Sequence, residues 1–134
     1  MSENYTLKID AGSDVEFGVA VKDEATGEYE DYSNYTARMM MKRKYKDETP
    51  LISLTSSANG GITFEKTSDK SLYDDMCVVH ITAEQTELLV NYMAETCGDI
   101  APNQGVYDLE LVDSDGYVTR LIRGNWIAYP EATK

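Results

Sequence analysis

The stretch from Gln104 to Thr133 constrains the fold of this chain more than any other. Gly105-Val-Tyr-Asp-Leu-Glu-Leu-Val112 alternates apolar and polar residues, Asp113-Ser-Asp-Gly116 forms a turn, and Tyr117-Val-Thr-Arg-Leu-Ile-Arg-Gly124 returns. Trp126-Ile-Ala-Tyr129 then runs into Pro130. Period-two alternation broken by a D-x-D-G turn predicts a β-hairpin, here followed by a closing strand, in an antiparallel sheet with one buried face. Nothing in this stretch has the pattern of a catalytic site.

The rest of the chain extends the same pattern. Tyr5–Ile9 reads as a first strand and Asp10–Ser13 as a turn. From Asp14 to Val21 the alternation predicts Val15, Phe17, Val19 and Val21 on one face. Lys22–Asn34 is acidic and reads as an exposed loop. Tyr35–Arg43 is a strand with Ala37, Met39 and Met41 inward and Arg38, Met40 and Lys42 outward. Shorter strands are expected at Pro50–Thr55, Ile62–Phe64 and Met76–Ile81, with Ser56–Gly61 and Lys66–Asp75 as loops. Thr82-Ala-Glu-Gln85 is a capping box opening a helix to about Ala94, with Leu88, Leu89, Tyr92 and Met93 on one face and Gly98 as a stop signal. Many short strands with hairpin-type links favour an antiparallel β-sandwich, immunoglobulin-like or jelly-roll-like, over a parallel α/β sheet. At 134 residues, residues 1–134 are expected to form a single sandwich domain.

Charge narrows the partners. Acidic residues outnumber basic ones 24 to 12, a formal charge of −12 that repels nucleic-acid backbone and anionic lipid. No nucleic acid and no membrane partner is expected, since no apolar run approaches the roughly 18 residues of a span. The N-terminus shows no Sec-type leader, which implies synthesis in the cytoplasm with reduced thiols. Cys77 sits in the apolar run Met76–Val79 and Cys97 precedes Gly98. Their spacing permits a disulfide without requiring one, and neither has metal-ligand company.

Chemistry-bearing residues are sparse. His80, the single histidine, lies within a strand and reads as structural, because acid–base or metal chemistry needs companions. Asp74-Asp75 and the Asp113/Asp115 turn have the composition of carboxylate pairs or calcium ligands. The turn lacks the remainder of a calcium loop, and Asp with Gly at a turn has a sufficient backbone reason. No phosphate-binding, nucleophile-elbow or zinc-hydrolase motif occurs. The expectation is a non-enzyme with no cofactor and no metal. Ten tyrosines fit strands, but also surfaces that bury a ring and leave a hydroxyl wet. Met40 is either gap-filling or an adaptable contact. The basic cluster Lys42-Arg-Lys44 with Lys46 fits a solvated strand end or edge protection. The candidate interface residues are Tyr29, Tyr32, Tyr35, Met40, Tyr45, Tyr73, Tyr117, Trp126 and Tyr129.

Five segments in order, Ile9–Phe17, Tyr35–Lys42, Ile81–Leu89, Gly105–Gly124 and Tyr129–Thr133, carry a family resemblance. Together they resemble the small β-sandwich structural proteins of tailed bacteriophages, in particular the N-terminal domains of upper baseplate proteins and tail-fibre-associated sandwiches. The resemblance spans nearly the whole chain. It departs in the longer segments Lys66–Asp75 and Glu95–Asn103 and in Ala132. It implies a virion protein, made in the host cytoplasm, that acts by protein–protein assembly as an adaptor or accessory at the tail, baseplate or fibre base. Other virion proteins would be its partners, in a homo-oligomer or symmetric array. Two alternatives stand beside it, a head-decorating protein of the same fold and a module that binds a glycan or host surface.

Overall fold

A computed structural model of the chain describes residues 3–22, 24–90 and 103–130. These form nine strands and one short helix in two facing sheets. In chain order the strands are β1 (Glu3–Asn4), β2 (Leu7–Asp10), β3 (Val15–Val19), β4 (Thr36–Lys42), β5 (Ile52–Thr55), β6 (Ile62–Glu65) and β7 (Met76–Ile81). The helix α1 (Ala83–Glu87) follows, then β8 (Asn103–Val112) and β9 (Val118–Tyr129).

The larger sheet runs β5-β4-β8-β9, all antiparallel, and the smaller runs β3-β7-β6, also antiparallel. Successive strands thus cross between sheets rather than only forming hairpins. This is the immunoglobulin-type order, with β3, β6 and β7 as strands B, D and E and β4, β5, β8 and β9 as C, C′, F and G. Of the two expected sandwiches the immunoglobulin-like one forms. It lacks the usual cysteine bridge between strands B and F, since neither β3 nor β8 contains a cysteine.

Three local expectations are corrected. The sheet is mixed at its edge, because β1 and β2 lie end to end along β9 and run parallel to it. A strand that crosses to the opposite sheet through the turn after Asp10 need not return antiparallel to its neighbour. The return arm and closing strand are one continuous β9. A bulge at Leu121 of β9, opposite the step from Leu109 to Glu110 of β8, lets consecutive Leu121 and Ile122 both be buried. The helix ends at Glu87, and Leu88 is exposed while Leu89 is buried. The amides of Leu88 and Leu89 bond three residues back, to Gln85 and Thr86, which tightens and closes the last turn. The rest of the expected helix with Tyr92 and Met93, the Gly98 stop, Cys97 and the chain end with Ala132 and Thr133 lie outside the described residues.

The capping box forms as read, Thr82 and Gln85 exchanging side-chain and backbone bonds. The helix is then fixed to the turn before β3. Buried Thr86 accepts from the Gly12 amide (3.0 Å) and donates to the Ser13 carbonyl (2.9 Å), while Asp14 accepts from the Ala83 amide. Ala37, Met39 and Met41 of β4 face inward as expected and meet Leu109, Leu111 and Tyr107 of β8.

Trp126 is fully buried opposite Gly105, and its indole N–H donates to the Lys42 carbonyl at 3.0 Å. A Cβ on Gly105 would lie 2.1 Å from that carbonyl oxygen and 2.7 Å from the indole. Gly124 makes a second close approach, where a Cβ would lie 2.2 Å from the Tyr5 carbonyl oxygen at the break between β1 and β2. That oxygen accepts the Tyr107 hydroxyl at 2.7 Å. Burial, followed by the neighbouring Tyr5 phenol, pushes the Tyr107 pKa up to about 12. Replacement of Trp126 by Ala is expected to cost about 3–5 kcal/mol in urea unfolding. Gly105→Ala should cost about 1–3 kcal/mol by overpacking. Both should leave the urea dependence of the free energy unchanged, as for losses confined to the native core.

Candidate functional site

The structure sorts the nine candidate interface residues into four groups. Tyr32 and Trp126 are buried, 2% and 0% exposed, so neither is a surface contact. Tyr32 packs edge-on to Tyr35 at 5.6 Å and tilted on Phe64 at 5.8 Å. Its hydroxyl has no bonding partner among the described residues. Burial, then the Cys77 thiol and the Glu30 carboxylate, push its pKa up to about 12. Tyr35 is half-buried against the same core. Both tyrosines belong to a core wedge at the entry to β4 rather than to a surface.

Met40 and Tyr45 meet in an open groove of about 360 Å³ on the outer face of the larger sheet. Met40 projects from β4 between Ser53 of β5 and Asp108 of β8. Val106 and Tyr45 line the groove with it, as do Arg38, Lys42, Asp108 and Glu110. The wall carboxylates are compensated. Arg38 Nε bonds Glu110 at 2.8 Å, and Arg120 reaches Asp108 at 3.3 Å and Glu110 at 3.7 Å. These pairs are part-exposed cross-strand contacts that fix side-chain direction more than they stabilise. Arg43 does not join the groove. It donates to Asn103 and to the Leu89 carbonyl and lies 5.8 Å over the Trp126 ring.

Tyr29 and Tyr73 meet where the segment 24–34 packs on the loop 66–75. The Tyr73 hydroxyl donates to the Tyr29 carbonyl at 2.8 Å, and the Tyr32 amide to the Asp74 carbonyl at 2.8 Å. The ammonium of Lys22 lies 5.8 Å from the Tyr29 ring centre. Desolvation and then the carboxylates of Glu28, Asp31, Asp75 and Glu30 raise the Tyr73 pKa. Leu72, not among the nine, stands beside them at 91% exposure. Tyr117, at 70%, and Tyr129, at 37%, are exposed but join neither cluster.

Asp75 is a structural staple that sequence reading misses. It is buried and accepts from the Thr67 amide (2.6 Å), the Thr67 hydroxyl (3.0 Å) and the Ser71 hydroxyl (3.0 Å). Burial raises its pKa, but these donors outweigh that and hold the carboxyl below its ordinary range. The only sequence signal was its place directly before the apolar run Met76–Ile81. Asp113 has the expected turn role, its carboxylate accepting from the amides of Asp115 and Tyr117. His80 is exposed on the smaller sheet, 3.8 Å from Asp14. Among the described residues no group of three or more His, Cys, Asp or Glu side chains is placed to hold a metal ion, and no helix is long and apolar enough to cross a membrane.

No protein-family model matches the chain, and no curated protein matches it. Among solved structures the chain is similar to murine CRIg, at 9% identity and a TM-score of 0.35, over 94% of this chain and 92% of that one. The fold assignment rests on the strand order itself.

Two outcomes follow from the charges and burial. Asp75→Asn should loosen the loop 66–75, seen as faster hydrogen exchange at the Thr67 amide. Because the folded pKa of Asp75 is depressed, its contribution is complete above the ordinary value of 3.8 and lost as pH falls through the lowered one. The stability gap between wild type and variant should therefore narrow on acidification below that value. Burial pushes the Cys77 thiol up to about 12. Iodoacetamide at mildly alkaline pH should leave Cys77 unmodified in the native protein and label it in urea, read by peptide mass spectrometry.

Proposed function

We propose that this chain is a non-enzymatic structural module of a tailed-bacteriophage virion, acting by protein–protein assembly at the tail, baseplate or fibre base. The observation that carries the assembly reading is the Met40–Tyr45 groove on the outer face of the larger sheet. An adaptable methionine and an exposed tyrosine line it together with apolar Val106 and the charged Arg38, Lys42, Asp108 and Glu110. That composition suits a protein interface, where tyrosine and methionine are enriched and a polar rim excludes water. The backbone beneath is the centre of a rigid six-stranded sheet, which holds the surface in one shape. The virion setting is supported by the ordered resemblance from Ile9 to Thr133.

Quantitative mass spectrometry of purified virions tests the setting. Copies in the tens or fewer relative to the major capsid protein are expected for the tail or baseplate. Hundreds of copies would move the chain to the head surface, and its absence from particles would overturn the virion reading. Replacing Met40 and Tyr45 with Ala together should reduce incorporation at least tenfold (about 1.4 kcal/mol) with little change in melting temperature, since both side chains are exposed.

A further inference from the structure

Single exposed leucines are ordinary on protein surfaces. Leu72 differs in how it is held. The loop that carries it cannot fold it away, because Asp75 grips Thr67 and Ser71 on one side and Tyr73 is bonded to the Tyr29 carbonyl on the other. The result is a fixed apolar knob, 91% exposed, flanked by the partly exposed Tyr29. The neighbouring segment 24–34 contributes four carboxylates, Glu24, Glu28, Glu30 and Asp31, against Lys22 beside Tyr29 and Lys66 and Lys70 of the loop itself.

The groove on the outer face of the larger sheet has a different character. Its own carboxylates, Asp108 and Glu110, are compensated by Arg38 and Arg120. Lys42 lines it, and Lys44 and Lys46 flank Tyr45 in a segment that also carries Asp47 and Glu48; no ion pair engages the three lysines among the described residues. Its apolar surface is Met40, Val106 and Tyr45, around a free volume of about 360 Å³ that admits a leucine side chain. Leu72 stands on the loop between β6 and β7, whereas Met40 and Val106 lie on the outer face of the larger sheet, and Leu72 does not line the groove of its own copy.

We propose that the occupant of the groove is a second copy of this chain, its Leu72 knob seated on Met40 and Val106 head to tail. This deepens the assembly reading and rests on it. A charge of −12 repels copies that meet at random, whereas this orientation brings the acidic segment of one against the lysines of the next. Such a contact uses different patches on the two partners. It therefore closes into a ring or continues as a stack instead of stopping at a two-fold dimer.

Sedimentation velocity on the full chain, over a range of concentrations and at low and high salt, tests this. The wild type should show mass rising with concentration, and association should weaken by about tenfold or more at high salt. Leu72→Asp and the double variant Met40→Ala/Tyr45→Ala should each sediment as a monomer while keeping the wild-type melting temperature. Mixed in equal amounts they should form a dimer and nothing larger, because one variant retains the groove and the other the knob. A wild type that stays monomeric throughout, a single variant that still associates, or a mixture that stays monomeric would each overturn the proposal. A chain found in virions yet monomeric alone would remove this contact and leave the assembly role. One that self-associates but is absent from virions would do the reverse.

Discussion

The seating of Trp126 against Gly105 is the contact on which the rest of the larger sheet depends. The indole is the largest fully buried side chain, and it fits because its cross-strand neighbour has no side chain. Its N–H takes up the Lys42 carbonyl, at the end of β4 where the ladder to β8 finishes. Arg43 then lies over the ring and reaches Asn103 and the Leu89 carbonyl, so one aromatic group joins β9, β8, β4 and the turn after α1. The consequence reaches the surface. Arg43 is drawn to the Trp126 ring, while its neighbours Lys42 and Tyr45 line the groove on the outer face. The core contact and the groove thus share one stretch of chain at the end of β4.

Alternation made most of this sheet legible. The inward set of β4 and the half-buried set of β3 follow period two without interruption, so the sequence pattern and the burial pattern coincide. Capping at Thr82 was equally readable, because both halves of its box are local. What was not readable is what depends on distant partners. The bulge that makes β9 continuous puts Leu121 and Ile122 on the same side, a break in period two that resembles a strand end when β8 is out of view. Parallel pairing of β1 and β2 leaves no mark in their own residues. Tyrosine and tryptophan were ambiguous by chemistry, since the same ring serves a core or an interface. Tyr32 and Trp126 went to the core because Phe64 and Gly105 face them across strands or sheets.

Asp75 illustrates a related ambiguity. As one of two adjacent acids in a polar loop it carried the pattern of a site. In the fold it is a buried acceptor for three donors of its own loop, and its function is to hold shape. A carboxylate used this way needs donors within a short span, and Thr67, Ser71 and Asp75 recur at intervals of four residues. That interval is also common in helices, so it marked no loop staple in advance.

The electrostatics of the molecule follow from the same division of labour. Carboxylates on the outer sheet face are matched by Arg38 and Arg120 across strands, so this face is close to neutral despite the overall excess of acid. The segment before β4 concentrates four carboxylates, Glu24, Glu28, Glu30 and Asp31, and the segment after it carries Lys44 and Lys46 with Asp47 and Glu48. A surface with such unlike segments and a net charge of −12 discourages contact in most orientations and favours the few that align them. That is a requirement for any module that must enter an ordered assembly without aggregating beforehand.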